Sequence, residues 1–198
     1  MKKRMDIYLN ILIIIMEIIG LVLSIQALGS KVFLYYTQDS NLFLMLTSLL
    51  YLITYKKKNK KLVGILKYGA TLSVLITFIV VVLVLKPTMH LSYRWLMLEK
   101  SNLFYHTLCP IVGVITFVFF DKIKVKGVKD NLYSLIFTFI YTIVFLVLNI
   151  IKVVEGPYPF LMIYKNPIWV SILWFIVIEG GAFLLARVLE ICKRKQTN

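Results

Sequence analysis

Six apolar segments alternate with short polar segments along the chain, and this pattern predicts six helices that cross a lipid bilayer. Each segment is close to the ~20 residues that an α-helix needs to span ~30 Å of hydrocarbon. The second segment is the least apolar, because it opens with a polar stretch from Thr37 to Asn41. The sequence therefore predicts an all-α integral membrane bundle, a single domain over residues 1–198, with helices at about 7–28, 36–55, 62–85, 103–121, 132–152 and 166–189.

The first apolar segment follows Lys2, Lys3 and Arg4, an arrangement that is also typical of a secretory signal peptide. Small residues near Ser24 would suit a cleavage site. Against cleavage, the segment is roughly 20 residues long, whereas the apolar region of a signal peptide runs about 7–15 residues. It also carries the acidic Glu17 at its middle. We therefore expect a retained first helix.

The amino-acid composition supports a membrane protein and indicates which kind of molecule its basic residues contact. Hydrophobic residues make up 60% of the chain, more than a soluble core of this size would bury. The 23 basic residues outnumber the 9 acidic ones, and they lie between the apolar segments. This placement favours anionic lipid headgroups over nucleic acid, for which no binding module is recognisable. The two cysteines, Cys109 and Cys192, are predicted on opposite sides of the membrane, so we expect no disulfide between them. Cysteines and histidines do not show the spacing of a zinc site, and we expect no metal or cofactor.

The distribution of basic residues predicts the orientation, since positively charged loops stay in the cytoplasm. One side of the predicted topology carries 16 basic residues and the other carries 6. We place both termini and the more basic side in the cytoplasm, and we expect Lys67, near the inner end of the third helix, to extend its ammonium group to that surface. The 16 are Lys2, Lys3, Arg4, Lys56, Lys57, Lys58, Lys60, Lys61, Lys122, Lys124, Lys126, Lys129, Arg187, Lys193, Arg194 and Lys195.

Polar residues at membrane depth are costly, so they are the candidates for function. The stretch from Thr37 to Asn41 has two interpretations. It can start a helix, with Thr37 as N-cap and Asp39 in the first turn, which satisfies otherwise unpaired backbone amides. Alternatively, Thr37 is a hydroxyl nucleophile, with Asn41 one turn away on the same helical face.

A second polar cluster opens the fourth predicted helix. Asn102, His106 and Pro110 are spaced by four residues and therefore share one face. His106 either bonds a neighbouring helix or acts as a general base, a role that suits imidazole near neutral pH. Pro110 leaves a carbonyl unpaired near His106 and should loosen the local backbone. The predicted depth of His106 matches that of Thr37, and a hydroxyl beside an imidazole is a minimal arrangement for acyl transfer.

Two further features remain open to more than one interpretation. The segment from Glu155 to Phe160 contains two prolines and forms either a lid over an outer cavity or a simple turn; its Tyr158 is either an interfacial aromatic or a donor to an oxyanion. Glu17 and Glu179 fall near the bilayer midplane, where a carboxylate either has a function or holds helices together as a neutral acid. We expect the two acids to face the interior near each other, and Gly180 and Gly181 to let a partner helix approach.

Three motifs resemble those of a family of six-pass bacterial membrane proteins. They are Tyr-Tyr-Thr-x-x-Ser-Asn at Tyr35–Asn41, Asn-x-x-x-His at Asn102–His106 with a following proline, and Gly-Pro-Tyr-Pro-Phe at Gly156–Phe160. The family is similar, at greater distance, to the androgen-induced and androgen-dependent membrane proteins of animals. Those are threonine hydrolases that cleave fatty acid esters of hydroxy fatty acids. The proline follows the histidine one residue closer here than in the animal proteins.

The resemblance implies that Thr37 is the nucleophile and His106 the base of a lipid-ester hydrolase in the bacterial cell membrane. Asn41, Asn102, Asp39 and Tyr158 are then candidates to support the site or to stabilise an oxyanion. Two other hypotheses stay open. The protein could be a proton-coupled transporter that uses Glu17 and Glu179, or a lipid-binding or accessory protein whose basic loops dock a partner. The sequence leaves the oligomeric state undetermined.

Overall fold

The computed structural model describes residues 4–57, 60–158 and 161–197, and every regular element in these ranges is helical. Seven α-helices follow one another in these ranges, some with π-helical turns, and a 3₁₀-helix (Gly29–Leu34) connects the first two. The seven α-helices are α1 (Met5–Leu28), α2 (Tyr36–Ile53), α3 (Lys61–Met89), the short α4 (Tyr93–Leu98), α5 (Leu103–Phe120), α6 (Val128–Ile150) and α7 (Ile168–Thr197). Lys2, Lys3 and Lys58 on the predicted basic side, and Pro159 and Phe160 of the outer loop, lie outside the described residues.

The six long helices lie where the apolar segments predicted them, although some ends differ. The prediction was clearly short at three ends, since α3 continues to Met89, α6 begins at Val128 and α7 continues to Thr197. Five of the six are long and apolar enough to cross a membrane. The exception is α2, because its 18 residues include the polar stretch that starts at Thr37. Those polar side chains are mostly buried inside the bundle, where they bond to neighbouring helices and to their own helix backbone.

Prolines widen two of the helices locally. Pro110 has no N–H to offer the carbonyl of His106, and the preceding stretch Leu103–Leu108 is a π-helix in which the Cys109 N–H bonds to the Phe104 carbonyl. In α3, Pro87 follows the π-helix Val81–Leu85 in the same way. The loosening of the backbone predicted from Pro110 is therefore present, and it occurs in the turn that carries His106.

The helix α3 occupies the middle of the bundle. It is the most buried of the five candidate spans, with 61% of its most apolar window buried, and it packs against α2, α5, α6 and α7. The helix α1 packs against α2 and α5. The helix α7 lies at the periphery, with only 6% of its window buried, so its apolar side chains suit a lipid environment.

Two predictions about individual residues are wrong. Lys67 does not extend to the surface: its side chain is fully buried, and its ammonium donates to Asn10 Oδ1 and Ser48 Oγ. No helix of the described residues packs against Gly180 and Gly181, because open space lies where their Cβ atoms would be. Both errors come from judging a residue by its own helix, without knowing which helix lies beside it.

Candidate functional site

An apolar cavity of about 590 Å³ lies between α2, α3, α6, α7 and the loop that precedes α7. Its wall is mainly aliphatic and aromatic, which suits the hydrocarbon part of a ligand. Nine lining residues carry a hydroxyl group, and two of them were singled out in the sequence, Thr37 and Tyr158. The other polar side chains on the wall are Tyr36, Thr77, Thr138, Tyr141, Thr142, Tyr164 and Ser171.

Thr37 lies in the first turn of α2, at the cavity wall. The helix begins at Tyr36 with Tyr35 in the N-cap position, so Thr37 is inside the helix and is not its N-cap. First-turn amides have no partner within their own helix. The Thr37 N–H instead donates to the Tyr158 hydroxyl oxygen, at 3.4 Å. The Thr37 backbone and the Tyr158 phenol thus meet at the wall of the cavity.

Tyr158 comes from the loop before α7 and is buried against α2. Burial raises the pKa of its phenol to about 12, although hydrogen bonding to Thr37 lowers that pKa in part. The phenol therefore keeps its proton near neutral pH and can donate it in a hydrogen bond. Leu161, Ile163 and Tyr164 of the same loop also line the cavity, so the loop forms part of its wall.

Asn41 connects Thr37 to the helix that carries His106. Its amide nitrogen donates to the Thr37 carbonyl at 2.7 Å and to the Tyr105 carbonyl at 3.3 Å. Both amide protons are thereby used, so Asn41 has no donor left for an oxyanion. Its Oδ1 atom is buried and has no hydrogen-bond partner among the described residues. The geometry fits a positioning role, in which Asn41 fixes the start of α2 next to the π-helical turn of α5.

His106 is buried in that turn, and its Nδ1 atom lies 2.5 Å from the Leu96 carbonyl oxygen. A carbonyl only accepts, so Nδ1 carries the proton and Nε2 is the basic nitrogen of the neutral ring. No hydrogen bond joins the Thr37 and His106 side chains in the described part of the chain, and His106 is not on the cavity wall. Asn41 links the backbone of α2 at Thr37 to the backbone of α5 at Tyr105, next to His106. The side chains of Thr37 and His106 themselves are not in contact in the described structure.

Asn102 and Asp39 are the other two residues that the sequence suggested could support the site, and both lie away from the cavity wall. Asn102 donates to the Trp95 carbonyl at 2.9 Å and fixes α4 to the start of α5. Asp39 is half-buried in the first turn of α2 and interacts electrostatically with Tyr158. Neither side chain lines the cavity.

The two membrane-depth acids have different surroundings. Glu179 is half-buried and accepts a hydrogen bond from the cavity-lining Thr142 at 3.0 Å. Glu17 is fully buried on another side of the bundle, beside Tyr105 and Lys67. They share no partner among the described residues, so the expectation that they face each other finds no support in the structure.

A buried charged cluster around Lys67 was missed by sequence reasoning. Asp6, Asn10, Glu17 and Asp121 surround this lysine near the basic end of the bundle. The sequence carried a signal for this cluster. The buried positions of α1 follow one another at intervals of mostly three and four residues, so they lie on one face of the helix. Those positions are Asp6, Asn10, Ile13, Met16, Glu17, Gly20 and Ser24.

Comparisons with known protein families, with curated proteins and with solved structures found no match to this chain.

Proposed function

We propose that this protein is a membrane-embedded lipid-ester hydrolase with Thr37 as its nucleophile and His106 as its base. One observation carries the proposal: Thr37 and the neutral phenol of Tyr158 meet on the wall of a mainly apolar cavity. Such a cavity suits the acyl chain of a membrane lipid and presents its ester to the threonine. The motif resemblance points to the same chemistry independently of the cavity.

The proposed reaction has two halves. The Thr37 hydroxyl oxygen attacks the ester carbonyl, and His106 Nε2 takes the hydroxyl proton through one intervening water or a rotation of its ring. The Tyr158 hydroxyl stabilises the oxyanion, and the Thr37 N–H holds that hydroxyl in position. The alcohol leaves with the proton held by His106, and an acyl-threonine remains. Water then attacks the acyl group, which releases the fatty acid and restores the Thr37 hydroxyl.

The proposal also includes a topology. We propose that α2 is a sixth membrane pass, because its polar side chains are largely satisfied inside the bundle while Leu46, Leu49 and Ile53 are exposed to the surroundings. Six passes put both termini on one side, and the basic loops favour the cytoplasm of a bacterial cell for that side. The cavity at Thr37 then opens toward the outer leaflet, from which a lipid substrate would enter.

The decisive experiment compares purified Thr37→Ala, Thr37→Ser and Thr47→Ala variants with wild type. Thr47 is a matched control, because it is also a buried threonine of α2 but bonds only to the Leu44 carbonyl of its own helix, away from the cavity. Each variant is first checked for folding and then exposed to a fluorophosphonate probe and to a panel of lipid esters. We expect wild type, Thr37→Ser and Thr47→Ala to react, and Thr37→Ala to lose both labelling and hydrolysis. Equal labelling of Thr37→Ala would contradict the proposal.

A further inference from the structure

The helices α6 and α7 are joined near the basic end of the bundle and separate toward the opposite end. Asn131 of α6 donates to Glu190 of α7 at 2.8 Å, and farther along the two helices Thr142 donates to Glu179 at 3.0 Å. Beyond this second bond, toward the end of α6 and the start of α7, side chains of both helices line the cavity. The two helices therefore face each other across the cavity in this region.

The wall of the cavity is exposed on one side. Its lining residues from α2 and α3 are buried or half-buried; Ile76 is 5% and Val81 is 1% exposed. The exposed lining residues in the described part of the chain all come from α6, α7 and the loop between them. They are Ile143, Ile150, Tyr164, Ile168 and Ile172. The cavity thus opens sideways, through a slot between α6 and α7, and the slot faces lipid because both helices are long and apolar enough to cross a membrane.

The dimensions of the cavity indicate what can fill it. It reaches along α6 from Thr138 to Ile150, a stretch of helix that rises about 18 Å at ~1.5 Å per residue. One leaflet contributes about half of the ~30 Å of hydrocarbon in a bilayer. The volume of about 590 Å³ equals that of roughly 20 water molecules at ~30 Å³ each, and a methylene group is close to a water molecule in size. The cavity therefore has the length and the volume of one acyl chain.

A helix from a second protein does not fit this space. An α-helix with its side chains is about 10 Å across, so each turn of ~5.4 Å occupies about 420 Å³. The cavity would hold little more than one such turn. Water is also poorly suited, because the mainly aliphatic and aromatic wall offers it few polar partners. A single hydrocarbon chain matches the cavity in both shape and chemistry.

One polar group at the slot indicates that its ligand also carries an oxygen. Ser171 lies in the first turn of α7 and lines the cavity. Its Oγ atom is buried and has no hydrogen-bond partner among the described residues. A buried hydroxyl without a partner is costly, and an ester oxygen of a lipid in the slot would accept its proton. The ligand that satisfies the site is therefore a lipid, with an apolar chain and a polar group near the start of α7.

We propose that the slot between α6 and α7 admits one acyl chain of a bilayer lipid into the cavity, while the rest of that lipid stays in the bilayer. Because the slot is open to the membrane along its side, the chain enters without crossing water. As the route of a substrate to Thr37, the slot rests on the proposed hydrolase function. As a binding site for a lipid chain, it does not require the Thr37 hydroxyl, so the two proposals are tested separately.

Photolabelling of the full-length protein in lipid vesicles tests the slot. The probe is a phosphatidylcholine that carries a diazirine in one acyl chain, and mass spectrometry identifies the labelled residues. Val81 is the reporter, because it lines the cavity but is only 1% exposed, so lipid around the bundle does not reach it. Leu83 is the reference, because it is 65% exposed and does not line the cavity. We expect both residues to be labelled in wild type.

A larger side chain at the slot should block entry. We expect Ile172→Trp to reduce the labelling of Val81 several-fold relative to Leu83. Ile176→Trp is the matched control, because Ile176 lies one turn farther along α7 and is 60% exposed but does not line the cavity. Its labelling should equal that of wild type. Leu146→Trp narrows the slot from α6 and should have the same effect as Ile172→Trp, so it replaces that variant if the latter does not fold.

Two results would overturn the slot. The first is a well-folded wild type in which Leu83 is labelled and Val81 is not, since no chain would then occupy the cavity. The second is equal labelling of Val81 in Ile172→Trp and Ile176→Trp, which would show that the chain enters elsewhere. Failure of the hydrolase proposal alone looks different: Val81 is labelled in wild type and in Thr37→Ala, but wild type hydrolyses no lipid ester.

Discussion

The backbone N–H of Thr37 donates to the hydroxyl of Tyr158 across 3.4 Å, which connects two residues that are 121 positions apart in the chain. The bond ties the first turn of α2 to the loop that forms part of the cavity wall. It also uses a first-turn amide that the helix itself leaves unpaired. Tyr158 accepts in this bond through its hydroxyl oxygen, so the bond holds the phenol at the Thr37 end of the cavity wall.

Removal of the Tyr158 hydroxyl should therefore slow the proposed acyl transfer without removing the cavity. We expect Tyr158→Phe to reduce the rate of fluorophosphonate labelling by about 100-fold, the usual scale for loss of one oxyanion donor. Tyr164→Phe is the matched control, because Tyr164 also lines the cavity but donates to the Ile150 carbonyl. An unchanged labelling rate in Tyr158→Phe would leave Tyr158 with a purely structural role.

The role of His106 can be separated from its contribution to structure. In His106→Asn, the amide nitrogen takes the approximate place of Nδ1 and keeps the bond to the Leu96 carbonyl, but the basic Nε2 is lost. We expect labelling at least about 100-fold slower, the lower limit for loss of a general base. The melting temperature should stay near that of wild type.

Thr107→Val provides the structural control for this comparison. Thr107 donates to the Met97 carbonyl at 2.6 Å, so the variant removes one of the hydrogen bonds between α4 and α5 without changing the imidazole. It should lower the melting temperature and leave labelling nearly intact. If Thr107→Val and His106→Asn lost activity equally, the attachment of α4 rather than the imidazole would be essential.

The sequence predicted the helices well because the bilayer imposes a length and an apolar composition that can be read locally. It also predicted that Pro110 would disturb the turn around His106, since that effect needs no neighbouring helix. The meeting of Thr37 with Tyr158 was not predictable, because nothing in the sequence specifies how the loop before α7 folds over α2. The burial of Lys67 was missed for the same reason, as its partners come from α1 and α2.

Close contact between α1 and α5 gives a prediction about stability. A Cβ atom at Gly20 would lie 2.4 Å from the ring of the buried Tyr105, the residue before His106. We expect Gly20→Ala to destabilise the protein by about 1–3 kcal/mol, the usual cost of overpacking. Thermal unfolding in detergent measures the effect. Gly180→Ala is the matched control: the new methyl group meets open space, so the melting temperature should not fall. Equal melting temperatures for the two variants would contradict this packing.

The buried Asp121 predicts how stability depends on pH. Burial raises the pKa of its carboxyl in the folded protein above the value in the unfolded chain, so the folded state binds the proton more tightly. This contribution to stability is fully present below the unfolded pKa and is lost as pH rises through the folded pKa. Melting temperatures measured from acid toward neutral pH should therefore fall more in wild type than in Asp121→Asn, in which the side chain stays neutral and can still accept from Asn10. Glu155→Gln should follow the wild-type curve, because its carboxylate is exposed. Parallel curves for wild type and Asp121→Asn would contradict a raised pKa of the Asp121 carboxyl in the folded protein.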